Sequence, residues 1–149
     1  MEMNDLVRSL IDQYRFLDAF LNTIVLQQKA IIENDMNGLE ETMKTEGALI
    51  IHIEQHEKQM IGIINELTKK FQINPPSKSL SEFINAVKGK NMELGNLEKI
   101  QNLLKKLALK IAKVNAQNKI LIEQARDFVQ GTISSLINLN KNKILDRKI

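Results

Sequence analysis

The chain has no cysteine and no tryptophan, and only two prolines and six glycines in 149 residues. Without cysteine, a disulfide framework and a thiolate metal site are excluded. Five Phe and one Tyr are its only aromatics, so any core is aliphatic, which suits packed helices and fits a sheet sandwich poorly. No apolar run approaches the roughly 18 residues that span a bilayer, so no membrane insertion is expected. The opening Met-Glu-Met-Asn-Asp is acidic and lacks the basic-then-apolar pattern of a secretory signal, which points to a cytoplasmic location. No Gly-rich phosphate loop and no Gly-x-Ser-x-Gly elbow occurs. The expectation is one domain, residues 1–149, with no cofactor and no enzymatic activity.

What the chain does have is helical periodicity. From Leu97 to Leu139, steps of three and four read Leu97, Ile100, Leu104, Leu107, Ile111, Val114, Asn118, Leu121, Ala125, Phe128, Thr132, Ser135 and Leu139. Ten of these thirteen are apolar and no proline intervenes, which predicts one stripe down a rod of roughly 64 Å. A lone helix cannot bury such a stripe, so it must lie along others. Asn118 interrupts the stripe, as a register-setting polar residue does. Alternatively, Asn115 and Asn118 offer hydrogen bonds to a partner. Past Phe128 the repeat decays, and a second line of Val129, Ile133, Leu136 and Ile137 appears beside it.

Two more long helices precede it. Met3, Leu6, Leu10, Leu17, Phe20, Ile24 and Ile31, with Gln13 and Gln27 on the same stripe, predict a helix over about 4–33. Asn34-Asp35-Met36-Asn37-Gly38 punctuates it. A second helix over about 36–71 follows the heptads Met36, Leu39, Met43, Glu46, Ile50, Ile53, Glu57, Met60, Ile64, Leu67 and Phe71. Glu46 and Glu57 are expected to reach solvent or to meet lysines of the third helix. Asn74-Pro75-Pro76 stops helix, and Ser79-Leu80-Ser81-Glu82 has capping-box spacing ahead of a short helix over about 80–88. Residues 89–96 read as a turn or as a weak start to the third long helix, which is expected over about 92–139, and a frayed basic tail follows over 141–149. The fold class is all-α: an antiparallel bundle of three long helices with a short helix in the second crossover.

Residues 1–96 carry 10 Lys/Arg against 14 Asp/Glu, a charge of −4, whereas residues 97–149 carry 11 against 4, a charge of +7. The simplest expectation is a basic helix compensated by two acidic ones. Nucleic acid is not expected, because the lysines are not interleaved with aromatics that stack on bases. His52 and His56, four apart, lie outside the predicted seam, lack a third ligand and read as surface residues rather than a metal site.

The second predicted helix is roughly 10 Å shorter than the rod from Leu97 to Leu139, so residues beyond about 132 should overhang the bundle. An apolar line without an internal partner calls for an external one. The alternatives are a structural coiled-coil adaptor, a homodimer using the same line, or a nucleic-acid-binding bundle using the basic half.

Ala30-Ile-Ile-Glu-Asn-Asp35 followed by Leu39, Met43, Glu46 and Leu49, and the run from Val114 through Asn115 and Asn118 to Leu121, resemble the FlgN family of flagellar export chaperones. The resemblance covers essentially the whole chain through diffuse helical patterns. It implies a three-helix cytoplasmic protein, monomer or weak dimer, without enzymatic activity. Such a protein binds the hook–filament junction proteins FlgK and FlgL, keeps them unassembled and delivers them to the type III flagellar export gate. The client-binding site it implies falls on Phe128, Val129, Ile133, Leu136 and Ile137. Thr45-Glu46 departs from the family's more usual Lys-Glu, and Lys58 stands where arginine is common. The tail lacks the tyrosine and glycine often found near the end, so a gate contact through a C-terminal aromatic has no residue here to fall on.

Overall fold

Three of the helices stop in the same way. After α1 (Met3–Ile32), α2 (Met36–Lys70) and α3 (Leu80–Gly89), one residue turns left-handed: Asn34, Gln72 and Asn91, each at φ 54°. The next amide then donates five residues back, Asp35 to Ala30, Ile73 to Thr68 and Met92 to Val87. This is the Schellman closure, which satisfies carbonyls the helix leaves open. Asparagine tolerates that φ better than glutamine does. Gln72 is exposed, so Gln72→Gly should raise stability by about 0.5–1 kcal/mol in urea unfolding. No gain would show that the left-handed turn carries no strain.

The starts are equally local. The Glu2 amide donates to Asp5 Oδ2 at 2.7 Å, Asp35 caps α2 by accepting from the Gly38 amide at 3.0 Å, and Ser79 caps α3 by accepting from the Glu82 amide at 3.2 Å. A Cβ at Gly38 would lie 2.3 Å from the Asp35 carboxylate, so glycine here leaves room for the cap.

A computed structural model describes the backbone of residues 2–148 and the side chains of residues 2–138. The fourth helix, α4, spans Leu97–Lys148, and no strand occurs among the described residues. It begins at Leu97 rather than near 92, because Asn91 and Gly95 (φ 57°) both sit in left-handed backbone that no helix continues through. It runs on through the expected frayed tail to Lys148, since neither proline nor glycine follows Gly131.

Hydrogen bonds fix the helix directions. Glu2 pairs with Lys70 at 2.9 Å, Gln13 with His56 at 2.9 Å and Gln27 with Glu46 at 2.8 Å, so α2 descends as α1 rises. The Lys70 hydrogen bond, and then its charge, hold the exposed Glu2 carboxyl below its ordinary pKa. Asn118 reaches the Ile24 carbonyl at 2.8 Å and Gln28 reaches Gln117 at 3.2 Å, while Leu6 and Leu97 share the core at the other end. α4 therefore climbs alongside α1.

α1 packs along both α2 and α4, but among the described residues no Cα of α2 lies within 8 Å of one in α4. The two stand apart with α1 beneath them. At the base α3 fills the gap: Phe83, Ile84 and Val87 are buried with Leu6 and Leu10 of α1, Ile64 and Leu67 of α2, and Leu97 of α4. Each such side chain contributes about 1.5–3 kcal/mol by leaving water. Lys90 Nζ donates to the Gln72 carbonyl at 2.7 Å, tying the end of α3 to the end of α2, and Lys88 pairs with Glu98.

The separation of α2 from α4 corrects the expected charge compensation. Among the described residues, no Lys or Arg of α4 lies within salt-bridge distance of a carboxylate, and the helix's one ion pair uses Glu98. The face of α2 is also corrected. Leu39, Thr42, Glu46, Leu49, Ile53, His56 and Met60 are half-buried, whereas Met36, Met43 and Ile50, predicted as seam residues, are exposed. The helix is turned so that Glu46 and His56 face α1.

Candidate functional site

The α4 stripe behaves as a packed seam only as far as Leu121. Leu97, Leu107 and Asn118 are buried, and Ile100, Leu104, Ile111, Val114 and Leu121 are half-buried. Every described residue from Ile122 to Ile137 is exposed, although the 3–4 spacing continues. The turn between α1 and α2 is the reason. Asn34, Asp35 and Met36 lie around a small hollow with Ile122 and Ala125, so the bundle ends at that level. The overhang therefore starts near residue 126, not near 132. Leu97 lies level with Leu6, Ile64 and Leu67 rather than with the outer end of the bundle, so α4 passes the α1–α2 turn sooner than level ends would allow.

The five sequence-predicted residues all lie on this overhang. Phe128 is 76% exposed, and Val129, Ile133, Leu136 and Ile137 are each half-exposed or more. They occupy one span of helix, and Thr132 Oγ1 turns inward to the Phe128 carbonyl at 2.9 Å instead of offering a polar group to a partner. The row is apolar surface that nothing covers among the described residues. Ile144, on the extension of the same line, lies outside the described side chains.

Beneath the overhang the three long helices meet in a polar layer. Gln27 of α1 donates to Glu46 Oε2 of α2, and its Oε1 accepts from Asn118 Nδ2 of α4 at 3.3 Å. Asn118 is 3% exposed and its Oδ1 finds no donor, whereas Asn115 is exposed. Glu46 thus meets a glutamine rather than solvent or a lysine; Glu57 is exposed. Asn118→Ala removes two donated bonds from a buried site and should cost about 1–3 kcal/mol. Chemical denaturation measures this, and a change of a few tenths would show that the layer adds nothing.

The histidines are not free surface groups. His52 is exposed, but its ring stacks on Phe16 with centroids 6.1 Å apart and planes 5° from parallel. His56 is half-buried. With its proton on Nδ1 it donates to Gln13 Oε1 at 2.9 Å, and Nε2 lies 3.4 Å from the Ser9 hydroxyl. Sequence reading missed this because a heptad frame fixed on the apolar residues leaves the α1-facing polar positions outside it. Among the described residues no group of three or more His, Asp or Glu could hold a metal ion.

Sequence reading also missed an exposed row on α2. Met43, Ile50 and Ile61 lie on the side of the helix turned about 40–60° from Glu46, away from the α1-facing Leu49 and His56. The signal was present as a seven-residue step, but spacing alone does not say whether a neighbour covers it.

Fold and site together define an all-helical protein with an uncovered apolar helix end and an open face between two of its helices. No helix among the described residues is long and apolar enough to cross a membrane. The family model described as FlgN protein matches residues 1–144, nearly the full length. The chain belongs to the FlgN family, and membership suggests a flagellar export chaperone role. No curated protein and no solved structure gives a significant match.

Proposed function

We propose that this protein is a cytoplasmic chaperone of the flagellar type III export pathway. Its clients are the hook–filament junction proteins FlgK and FlgL, which it keeps unassembled and delivers to the export gate. The working form is an antiparallel bundle of the three long helices, with α3 in the second crossover, acting as a monomer or weak dimer. The client lies on Phe128, Val129, Ile133, Leu136 and Ile137. Asn118 holds the register of α4 on α1, and Asn115, on the exposed side, is free to meet the client.

The observation that carries this reading is the exposure of that row beyond the α1–α2 turn in a chain of this family. Burial of a helical client segment against it would remove apolar surface from both partners, at about 25 cal/mol per Å². Self-association through the same row is disfavoured, because it brings two helices of charge +7 together.

Titration calorimetry of the full chain with purified FlgK and FlgL tests the proposal. Saturable one-to-one binding that leaves the client monomeric is expected. Absence of binding to either protein would reject the client assignment.

A further inference from the structure

α3 fills only the base of the gap between α2 and α4. Directly above its first turn, where Leu80 ends the filled part, a hollow of about 290 Å³ opens between Met60 of α2 and Leu104 and Ala108 of α4, over Leu10 and Leu17 of α1. Further up the same faces, a hollow of about 500 Å³ lies between Glu46 of α2 and Asn115, Lys119, Ile122 and Arg126 of α4, with Gln27 and the buried Asn118 beneath. The α4 residues of the two hollows repeat at sevens, Ala108, Asn115 and Ile122, and the next two steps are Val129 and Leu136 on the overhang. On α2, the exposed Met43, Ile50 and Ile61 lie about 40–60° around the helix from Glu46, which lines the second hollow.

We infer that the slot between α2 and α4, above α3, seats an amphipathic helix of the client whose flank toward α4 is acidic. The inference rests on the chaperone reading and says which part of the client that surface takes.

Three observations choose this occupant. α3 shows that an amphipathic helix fits between the same two helices, burying three apolar side chains on α1 while touching both walls. The α4 rim presents Lys105, Lys119 and Arg126, at steps of fourteen and seven, against one carboxylate, Glu123, and none of the three cations is in an ion pair among the described residues. A helix with carboxylates on that flank supplies the missing partners, and one with lysines there is repelled. From Ala108 to Arg126 the slot is about 27 Å long, room for a helix of about 18 residues. A second copy of this chain fits less well, since its most exposed apolar helix is the basic α4.

The test uses the full-length protein and two synthetic 20-residue amphipathic peptides. Both carry leucine at three-four spacing, one with glutamate and the other with lysine on the flank. The glutamate peptide should bind at least tenfold more tightly than the lysine peptide. Lys119→Glu with Arg126→Glu should reverse that order. Ile50→Asp, at an exposed position that leaves the melting temperature unchanged, should weaken the glutamate peptide and FlgK or FlgL at least tenfold.

Equal affinity for the two peptides, or client binding untouched by Ile50→Asp but lost in Leu136→Asp, overturns the slot and leaves the overhang as the whole site. If neither FlgK nor FlgL binds the unmodified protein, the chaperone reading fails, and the order of the two peptides still decides the slot. Concentration-dependent dimerisation abolished by Ile50→Asp would assign the slot to a second copy and overturn the inference.

Discussion

Leu136→Asp should weaken binding of FlgK and FlgL by about 30- to 1000-fold, or roughly 2–4 kcal/mol, while the bundle melts at an unchanged temperature. Leu136 is 56% exposed and lies well beyond Ala125, where the α1–α2 turn ends the bundle. An aspartate there is fully hydrated in the free protein, so folding changes within about 0.5 kcal/mol. In the complex the same carboxylate would be pressed among Val129, Ile133 and Ile137 and the client's apolar side chains. Burying an unpaired charge is costly enough to prevent docking. Calorimetry and thermal unfolding of the one variant separate these effects, and unchanged client affinity would remove Leu136 from the site.

Phe83→Ala should destabilise the fold by about 3–5 kcal/mol in urea unfolding. Its side chain is 0% exposed, wedged where α3 meets Leu6, Leu10, Ile64, Leu67 and Leu97. Truncation loses the transfer energy of the ring and leaves a cavity that three converging helices cannot easily close. For a domain whose total stability is about 5–15 kcal/mol, this is a large fraction. Phe128→Ala makes the same chemical change at a 76% exposed position and should fall within about 0.5 kcal/mol. Comparable losses at both positions would contradict the division of α4 into a packed lower part and a free end.

The two phenylalanines illustrate what spacing can and cannot specify. Both fall on apolar stripes at helical period, and nothing local distinguishes the buried one from the exposed one. The α1 stripe was legible down to its polar members: Gln13 and Gln27 are buried where the 3–4 pattern places them. Ser79 was legible as a cap because its bond is made within four residues. The start of α4 was legible only as one of two alternatives, because Met92 and Leu94 extend the apolar pattern while the backbone at Asn91 and Gly95 turns left-handed. The rotation of α2 escaped for a different reason. Glu46 and His56 face α1 because Gln27, Gln13 and Ser9 are there to bond them, and such pairings lie between elements. The open slot is least visible of all, since a stripe shows that a helix has a buried side but not how many neighbours share it. At the overhang, the change of line after Phe128 was legible, and the level of the α1–α2 turn sets where the exposed part begins.

The end of α4 is uncovered in the free protein, and in the proposed complex the client covers it. Backbone hydrogen exchange over residues 126–138, followed with and without saturating FlgK, tests it most directly. Amides from Phe128 to Ile137 should slow markedly when the client is added. Tight binding of FlgK with exchange unchanged across that span, and protection elsewhere, would contradict it.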